Sequence, residues 1–319
     1  MKIISLIFAL SIFSFLATNL AWASESSQNI LPTQVITATV NQVTNVLTET
    51  YVYPEVAKEI ETFLKTQLSA GRYNSHSQRE LIAKLQTDLR STSKDGHLEL
   101  LLAEDSVDRT SVVVRRTKSQ NKIHTEVISG ARNGEKIGYL QINTFSGDPE
   151  TEGHLINAME SVSSTDSLII DLRENGGGSP NFVALLSSYF VENDTQLWSV
   201  IDRNGNQALE VRSQDNRNKF DGDLCILTSK KTYSAAEAFA YTLKHLSRAS
   251  IVGEETGGGA HLVDMIRVND EIDMRVPVLR AYNHITESNW EGVGVIPTLK
   301  VKASDAKIAA VNLLNGNTE

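Results

Sequence analysis

Cysteine and clustered positive charge are both scarce in this sequence. The single cysteine, Cys225, excludes an intramolecular disulfide and metal sites built from several thiolates, such as zinc or iron–sulfur centres. The 319 residues include 30 Lys and Arg against 39 Asp and Glu, which gives a formal net charge of −9. Because the cations form no basic stripe, we expect neither nucleic acid nor an anionic lipid surface as a partner.

The sequence also lacks an uninterrupted apolar run long enough for a stable membrane span. Residues 3–20 are mostly apolar but contain five Ser, Thr or Asn residues, whereas a span needs about 20 predominantly apolar residues. With Lys2 before this segment and Ala21-Trp22-Ala23 after it, the layout is that of a secretory signal peptide. We therefore predict a signal peptide over residues 1–23, and a mature protein exported to the periplasm or secreted, without a membrane anchor.

Two hydrophobic patterns divide the mature chain. Apolar residues recur at helical spacing over residues 33–89, with breaks at Tyr53-Pro54 and residues 71–74, which predicts a three-helix unit. From His97 onward, short strand-like runs alternate with helical segments, a pattern typical of an α/β layered domain. The predicted strands are 98–100, 111–114, 123–128, 137–142, 167–172, 224–228 and 250–252, and the predicted helices are 149–162, 179–190 and 234–246. The predicted domains are a helical unit (24–96), a sheet domain (97–303) and a C-terminal helix or tail (304–319).

A glycine cluster follows the predicted strand that ends near Asp171. Gly176, Gly177 and Gly178 stand between that strand and the helix predicted from Ser179. Such a turn presents unpaired backbone N–H groups to an anion or a developing oxyanion. The usual glycine-rich phosphate-binding patterns are absent here. Taken alone, the cluster is equally compatible with glycines that merely permit a tight turn.

Ser234 is a candidate nucleophile because it opens the helix that follows a predicted buried strand. The helix dipole and the N–H of Ala235 favour negative charge at that point, so a nucleophile and an oxyanion donor would be adjacent. Ser234 is also suited to cap the helix, and Glu237 three residues later would complete a capping box. Both interpretations can hold together.

A serine nucleophile needs a base to accept its proton, usually histidine and sometimes lysine. Of the seven histidines, His97 stands where helices give way to strands, a boundary suited to a cleft, and His261 follows a run of glycines. His245 lies on the helix of Ser234 itself and cannot easily fold back to it. Near the C-terminus, Glu291 could orient a histidine tautomer, or equally be a solvated turn charge.

Taken in order, these motifs resemble the serine peptidase family that includes the C-terminal (tail-specific) processing proteases, the catalytic core of tricorn protease and the modules of interphotoreceptor retinoid-binding protein. The resemblance covers roughly residues 138–301 well and the preceding helical region more loosely. It implies an α/β fold of the ClpP/crotonase-like ββα superhelix type, with a small N-terminal helical unit. The matching stretches are 169–178, 233–237, 249–259 and Gly294-Val295-Ile296-Pro297.

The family has two catalytic arrangements, and the sequence distinguishes them. The processing proteases use a Ser–Lys dyad with the lysine 25 residues after the serine, a position that Gly259 occupies here. The tricorn-like arrangement uses a histidine and a glutamate, which His97 and Glu291 match. The resemblance therefore implies Ser234 as nucleophile, His97 as base and Glu291 as the group that orients the imidazole, with His261 as the main competitor for the base. The implied oxyanion donors are Ala235 and the Gly176-Gly177 turn, and no metal or cofactor is implied.

One departure from the family concerns the PDZ domain that most processing proteases carry. Residues 98–136 number only 39, too few for such a domain. This favours the retinoid-binding-protein branch, which contains peptidase-like proteins and also modules that bind hydrophobic ligands. We therefore predict an exported serine peptidase that acts on a peptide or protein. The alternative is a catalytically silent module that holds an apolar ligand or a peptide terminus; the oligomeric state is not indicated.

Overall fold

The computed structural model describes residues 30–74, 76–104, 123–130 and 134–316. The predicted signal peptide and the strand predicted over residues 111–114 lie outside the described residues. Within them, no helix is both long and apolar enough to cross a membrane.

Three helices begin the described chain, as predicted: α1 (Thr33–Thr50), α2 (Pro54–Ser69) and α3 (Gln78–Ser93). Pro54 opens α2, a position where its missing N–H costs nothing, and Ser77 and Glu80 form a capping box at the start of α3. The apolar faces of these helices do not form a core of their own. They share one hydrophobic cluster with residues of the first and tenth strands, among them Leu100 and Met274.

The strands form two sheets. Over the described residues, one sheet has the order β11–β8–β7–β4–β3–β2, and every neighbouring pair in it is parallel except β2 with β3. The other sheet is antiparallel, has the order β1–β10–β5–β6, and pairs β9 with β10. The strands are β1 (Glu99–Leu102), β2 (Ile123–Ser129), β3 (Lys136–Ile142), β4 (Ser167–Asp171), β5 (Gln196–Asp202), β6 (Gln207–Arg212), β7 (Asp223–Thr228), β8 (Ser250–Gly253), β9 (His261–Asn269), β10 (Ile272–Tyr282) and β11 (Leu299–Lys300).

Helices cover both faces of the parallel sheet, which explains why its central strands are continuously apolar. All five residues of β4 are buried. One face packs against the core of α4, α5 and α6, and α7 covers Ile169, Cys225 and Val252 on the other face. The four helices are α4 (Pro149–Val162), α5 (Pro180–Ser187), α6 (Ala235–His245) and α7 (Ala306–Leu314).

The mixed α/β fold predicted from the sequence is confirmed, and α4 has the predicted bounds. The prediction of α5 was wrong at its end, because the helix stops at Ser187 and the chain continues in turns to Phe190. The largest omission is the antiparallel sheet, of which only β1 was predicted. The domain boundaries remain a prediction.

The order of the parallel strands determines where the site forms. β4 and β7 are parallel neighbours, with Asp171 paired to Leu227. Their carboxyl ends therefore meet at one edge of the sheet. The glycine cluster after β4 and the turn after β7 lie together at this edge, which brings Gly177 against Ser234.

Candidate active site

Ser234 sits on a sharp turn between β7 and α6. Its backbone angles are φ 53° and ψ −120°, a conformation that L-residues rarely adopt. The N–H of Ala236 donates to the carbonyl oxygen of Tyr233 at 3.1 Å and closes a tight turn around the serine. Ser234 thus combines a strained backbone with a position at a helix N-terminus, the combination found in nucleophile elbows.

The glycine cluster packs directly against this turn. A Cβ built on Gly177 would lie 2.7 Å from the carbonyl oxygen of Tyr233 and 2.9 Å from the nitrogen of Ala235, and its φ is +100°. Only glycine fits this place. The N–H of Tyr233 also donates to the carbonyl oxygen of Asn175 at 3.1 Å, so backbone hydrogen bonding joins the two turns.

The three predicted oxyanion donors differ in their availability. The N–H of Gly177 donates to Oδ1 of Asn175 at 2.8 Å, so this N–H is already satisfied. The N–H groups of Gly176 and Ala235 have no acceptor within the part of the chain that the structure describes. Gly176 and Ala235 also line the same cavity as Ser234, and Gly177 does not.

Glu237 connects the serine turn to the glycine-rich loop that precedes β9. Its carboxylate is fully buried and accepts the N–H of Ser234 at 2.7 Å, together with the N–H groups of Gly258 at 2.6 Å and Gly259 at 2.8 Å. Burial raises the pKa of Glu237 to about 7, although these hydrogen bonds oppose the shift. The capping partner predicted for Ser234 therefore also holds a second loop in place.

The structure gives a physical reason why the lysine of the other catalytic arrangement is absent. A Cβ on Gly259 would lie 2.2 Å from Cζ of Tyr233, and a Cβ on Gly257 would lie 2.6 Å from Cδ2 of the same ring. The Tyr233 ring therefore fills the space that a lysine at position 259 would need.

His97 lines the cavity that contains Ser234, and its side chain is 8% exposed. Its ring lies 5.0 Å, centroid to centroid, from that of Tyr233, the residue before Ser234. Nδ1 is 3.5 Å from the Tyr233 hydroxyl and 3.8 Å from Oδ1 of Asp95. No described group lies within hydrogen-bond distance of Nε2. Burial lowers the pKa of His97 to about 4, although Asp95 opposes the shift, so the ring is neutral near pH 7 and can accept a proton.

His261, the competitor for the base, is engaged at both ring nitrogens. Nδ1 lies 2.7 Å from Oδ2 of Asp95 and 3.4 Å from Oε2 of Glu291, and Nε2 lies 3.3 Å from the hydroxyl of Tyr53. Its side chain is 1% exposed. His261 therefore serves as a partner for two carboxylates, so of the two candidate bases His97 is the one with an unengaged nitrogen.

The carboxylate beside His97 is not the one that the resemblance implied. Among the described residues, Asp95 is the acidic residue with an oxygen within 4.0 Å of a His97 nitrogen. Glu291 instead accepts the N–H of Ala260 at 2.6 Å and contacts His261. A Glu291 oxygen lies within 4.8 Å of a His97 ring nitrogen, too far for a direct hydrogen bond, and the closer contact of Glu291 is with His261.

Asp95 is held by three hydrogen bonds. It accepts the N–H of His97 at 2.8 Å, the hydroxyl of Tyr51 at 2.9 Å and Nδ1 of His261. Burial alone would raise the pKa of Asp95, but the bonds from His261, His97 and Tyr51 outweigh it and hold the pKa below its usual value. No role was predicted for Asp95, although its position two residues before His97 was the available signal.

The cavity has a volume of about 520 Å³ and one largely apolar wall. Arg275 lines it as well and lies 3.4 Å from Glu99. Strands β5, β6, β9 and β10 of the antiparallel sheet supply the apolar wall, and these strands were missing from the prediction. The apolar lining residues on these strands are Trp198, Val200, Leu209, Val211, Leu262, Val263 and Ala281.

Two sequence families match this chain. The family described as "Peptidase family S41" matches residues 136–301, which include the glycine cluster, Ser234 and Glu291. The chain belongs to peptidase family S41. A second family, described as the N-terminal domain of Peptidase S41 in eukaryotic IRBP, matches residues 21–130, which include Asp95 and His97. Membership classifies the chain with serine-type peptidases and confirms the predicted resemblance.

The curated relatives of this S41 chain include processing proteases of cyanobacteria. The carboxyl-terminal-processing protease of Picosynechococcus is 28% identical over 191 residues, 59% of this chain and 44% of the relative. The protein of the same name from Synechocystis is 26% identical over 201 residues, 63% of this chain and 46% of the relative. The chain thus spans less than half the length of these two relatives.

Solved structures share the S41 fold over most of the chain. A protein of Parabacteroides merdae described as a candidate peptidase has a TM-score of 0.68 at 19% identity, covering 88% of this chain and 96% of that one. The photosystem II D1 C-terminal processing protease has a TM-score of 0.59 at 15% identity, covering 90% and 98%. Tricorn protease has a TM-score of 0.58 at 13% identity, covering 87% and 36%.

Proposed function

We propose that this protein is an exported serine peptidase in which Ser234 attacks the scissile carbonyl and His97 is the base. The observation that carries the proposal is the backbone of Ser234. A non-glycine residue at φ 53° and ψ −120° costs about 1–3 kcal/mol, a strain typical of functional sites. A serine that only capped α6 would adopt an ordinary extended conformation.

The proposed reaction uses groups that line the same cavity as Ser234. His97 accepts the hydroxyl proton at Nε2, its unengaged nitrogen, as the oxygen of Ser234 bonds to the carbonyl carbon. The N–H groups of Ala235 and Gly176 donate to the oxyanion, and one such donor contributes about 3 kcal/mol to lowering the barrier. His97 then returns the proton to the leaving amine. Water hydrolyses the acyl-enzyme by the same steps, so no redox partner is needed.

Asp95 is the carboxylate that orients His97 in this proposal. Glu291 acts indirectly, by contacting His261, which in turn contacts Asp95. The 3.8 Å between Oδ1 of Asp95 and Nδ1 of His97 is longer than a hydrogen bond, but such contacts commonly tighten when substrate binds. Glu291 and His261 hold Asp95 in position from its other side. Gly177 supports the turn, and its N–H is committed to Asn175.

The substrate class follows from the cavity. Its apolar wall favours a peptide segment with an apolar side chain near the cleaved bond. The names of the processing proteases and the predicted signal peptide support an exported peptidase that acts on peptides or proteins.

The decisive experiment is to label the purified mature protein with a fluorophosphonate and to locate the adduct by mass spectrometry. We expect an adduct on Ser234, together with peptide or ester hydrolysis that Ser234→Ala abolishes. His97→Ala should prevent labelling, and His261→Ala should slow it less. A folded protein that forms no adduct would support the silent binding module instead, and a screen of apolar ligands would follow.

A further inference from the structure

Four side chains around the base form a compact set of potential metal ligands. Asp95, His97, His261 and Glu291 each offer one ligand atom, and these atoms all lie within 4.8 Å of one another. The individual separations are 2.7 Å from His261 to Asp95, 3.4 Å from His261 to Glu291 and 3.8 Å from His97 to Asp95. In a tetrahedral site with metal–ligand bonds of about 2.1 Å, neighbouring ligand atoms lie about 3.4 Å apart. Small side-chain movements would therefore complete such a site.

Two members of this set are poorly satisfied by the protein alone. Oε1 of Glu291 is buried and has no hydrogen-bond partner among the described residues. The nearest polar partners of His97 Nδ1 are the Tyr233 hydroxyl at 3.5 Å and Asp95 at 3.8 Å, both at or beyond the limit of a hydrogen bond. Buried polar atoms are normally paired, so Oε1 of Glu291 and Nδ1 of His97 are each available to coordinate a bound cation.

The donor types select the class of cation. Two imidazoles with two carboxylates suit zinc and the neighbouring late transition metals, whereas magnesium and calcium prefer ligand sets made of oxygen alone. When both carboxylates are ionised, their charge balances that of a divalent cation. We propose that Asp95, His97, His261 and Glu291 form an inhibitory binding site for Zn²⁺ or a similar divalent transition metal.

The consequence for catalysis rests on the proposed function. Coordination through Nδ1 of His97 leaves the proton of the neutral ring on Nε2, so His97 can no longer accept the proton of Ser234. When Nδ1 of His261 binds the cation, the proton that it donated to Asp95 moves to Nε2, which can donate it to the hydroxyl oxygen of Tyr53. The metal is thus a reversible inhibitor that occupies the base and does not take part in hydrolysis.

The test separates metal binding from catalysis by using full-length mature protein carrying Ser234→Ala. Isothermal titration calorimetry with Zn²⁺ should show one saturable site, and the same titration with Mg²⁺ should show no saturable binding. Substituting Co²⁺ should give the visible absorption of a four-coordinate site. His261→Asn and Glu291→Gln, each added to Ser234→Ala, should weaken Zn²⁺ binding at least tenfold. His154→Ala, which removes an exposed histidine on α4, is the matched control and should bind normally.

Several results would overturn the metal site. These are the absence of saturable Zn²⁺ binding, affinity unchanged in His261→Asn and Glu291→Gln, or affinity lost in His154→Ala. If a variant does not fold, X-ray absorption of the zinc complex of Ser234→Ala decides, because fewer than two imidazole ligands contradicts the proposal. A protein that binds Zn²⁺ but shows no fluorophosphonate adduct without metal would refute the peptidase function and leave the metal site standing.

Discussion

The two halves of the proposed active site are built by different means. The nucleophile half, which consists of the Ser234 turn and the glycine cluster, is held mainly by backbone contacts. Its two turns follow the neighbouring parallel strands β4 and β7 and hydrogen-bond to each other. The base half is held by side-chain contacts around Asp95. Tyr51 and His261, from two distant segments, meet the Asp95–His97 segment there. Substitutions in the nucleophile half should therefore matter when the new residue cannot adopt the required backbone conformation. Substitutions in the base half should matter when they leave a charge or a hydrogen-bonding atom without its partner.

The largest expected effect comes from separating the two carboxylates of the base half. Asp95→Asn should lower kcat by about 10⁴-fold with KM little changed, as when the carboxylate that orients a catalytic histidine becomes an amide. Glu291→Gln should cause a smaller loss, because Asp95 lies closer to His97 than Glu291 does, and Glu291 contacts His261 instead. Steady-state kinetics on a peptide or ester substrate measures both.

The opposite ranking would restore the arrangement that the family resemblance implied. If Glu291→Gln lowered kcat more than Asp95→Asn, then Glu291 would orient His97 when substrate is bound. Equal losses with a large rise in KM would indicate that both variants disturb substrate binding instead.

The nucleophile half also contains a buried carboxylate, and its effect should appear in stability. Burial raises the pKa of Glu237 from its ordinary value of 4.5 to about 7 in the folded protein. Between these values the folded state binds more protons than the unfolded state, so the contribution of Glu237 to stability falls as pH rises from about 4.5 to 7. The full change is on the order of 3 kcal/mol. Denaturant unfolding of wild type and Glu237→Gln at pH 5 and pH 8 measures it.

The comparison between the two proteins isolates Glu237 from other groups that titrate in this range. The amide does not ionise, and it also loses acceptors for the N–H groups of Ser234, Gly258 and Gly259 at every pH. We expect the stability of Glu237→Gln relative to wild type to be higher at pH 8 than at pH 5. A difference independent of pH would show that the pKa of Glu237 is not raised.

The smallest predicted effect tests the backbone character of the nucleophile half. Gly177→Ala should lower the free energy of unfolding by at least about 2 kcal/mol, because alanine is strained at φ +100° and its Cβ meets the Ser234 turn. A Cβ on Gly176 meets nothing within 4 Å, so Gly176→Ala should change stability by less than about 0.5 kcal/mol. Denaturant unfolding measures both, and similar losses would contradict the close approach at Gly177.

The sequence predicted the nucleophile half well, because its signals are local. A buried strand, a glycine cluster and a serine that opens a helix are each recognisable from neighbouring residues. The base half was predicted only in part. Glu291 was expected to orient His97 directly, whereas the structure places Asp95 beside His97 and Glu291 beside His261. Those contacts depend on β9 and β10, which the prediction omitted, and on tyrosines from the helical unit. No local pattern shows that Tyr51 and Tyr53 reach Asp95 and His261.

The packing of Gly259 against Tyr233 constrains how the two catalytic arrangements of the family can interconvert during evolution. A lysine at position 259 cannot be added while the tyrosine ring is in place, because even a Cβ would overlap it. Removing the ring first would leave His97 without its aromatic neighbour and open a gap beside Ser234. A lysine at position 259 is therefore compatible with the fold only if Tyr233 is replaced as well. The effect of a substitution at one of these two positions depends on the residue at the other, which is epistasis.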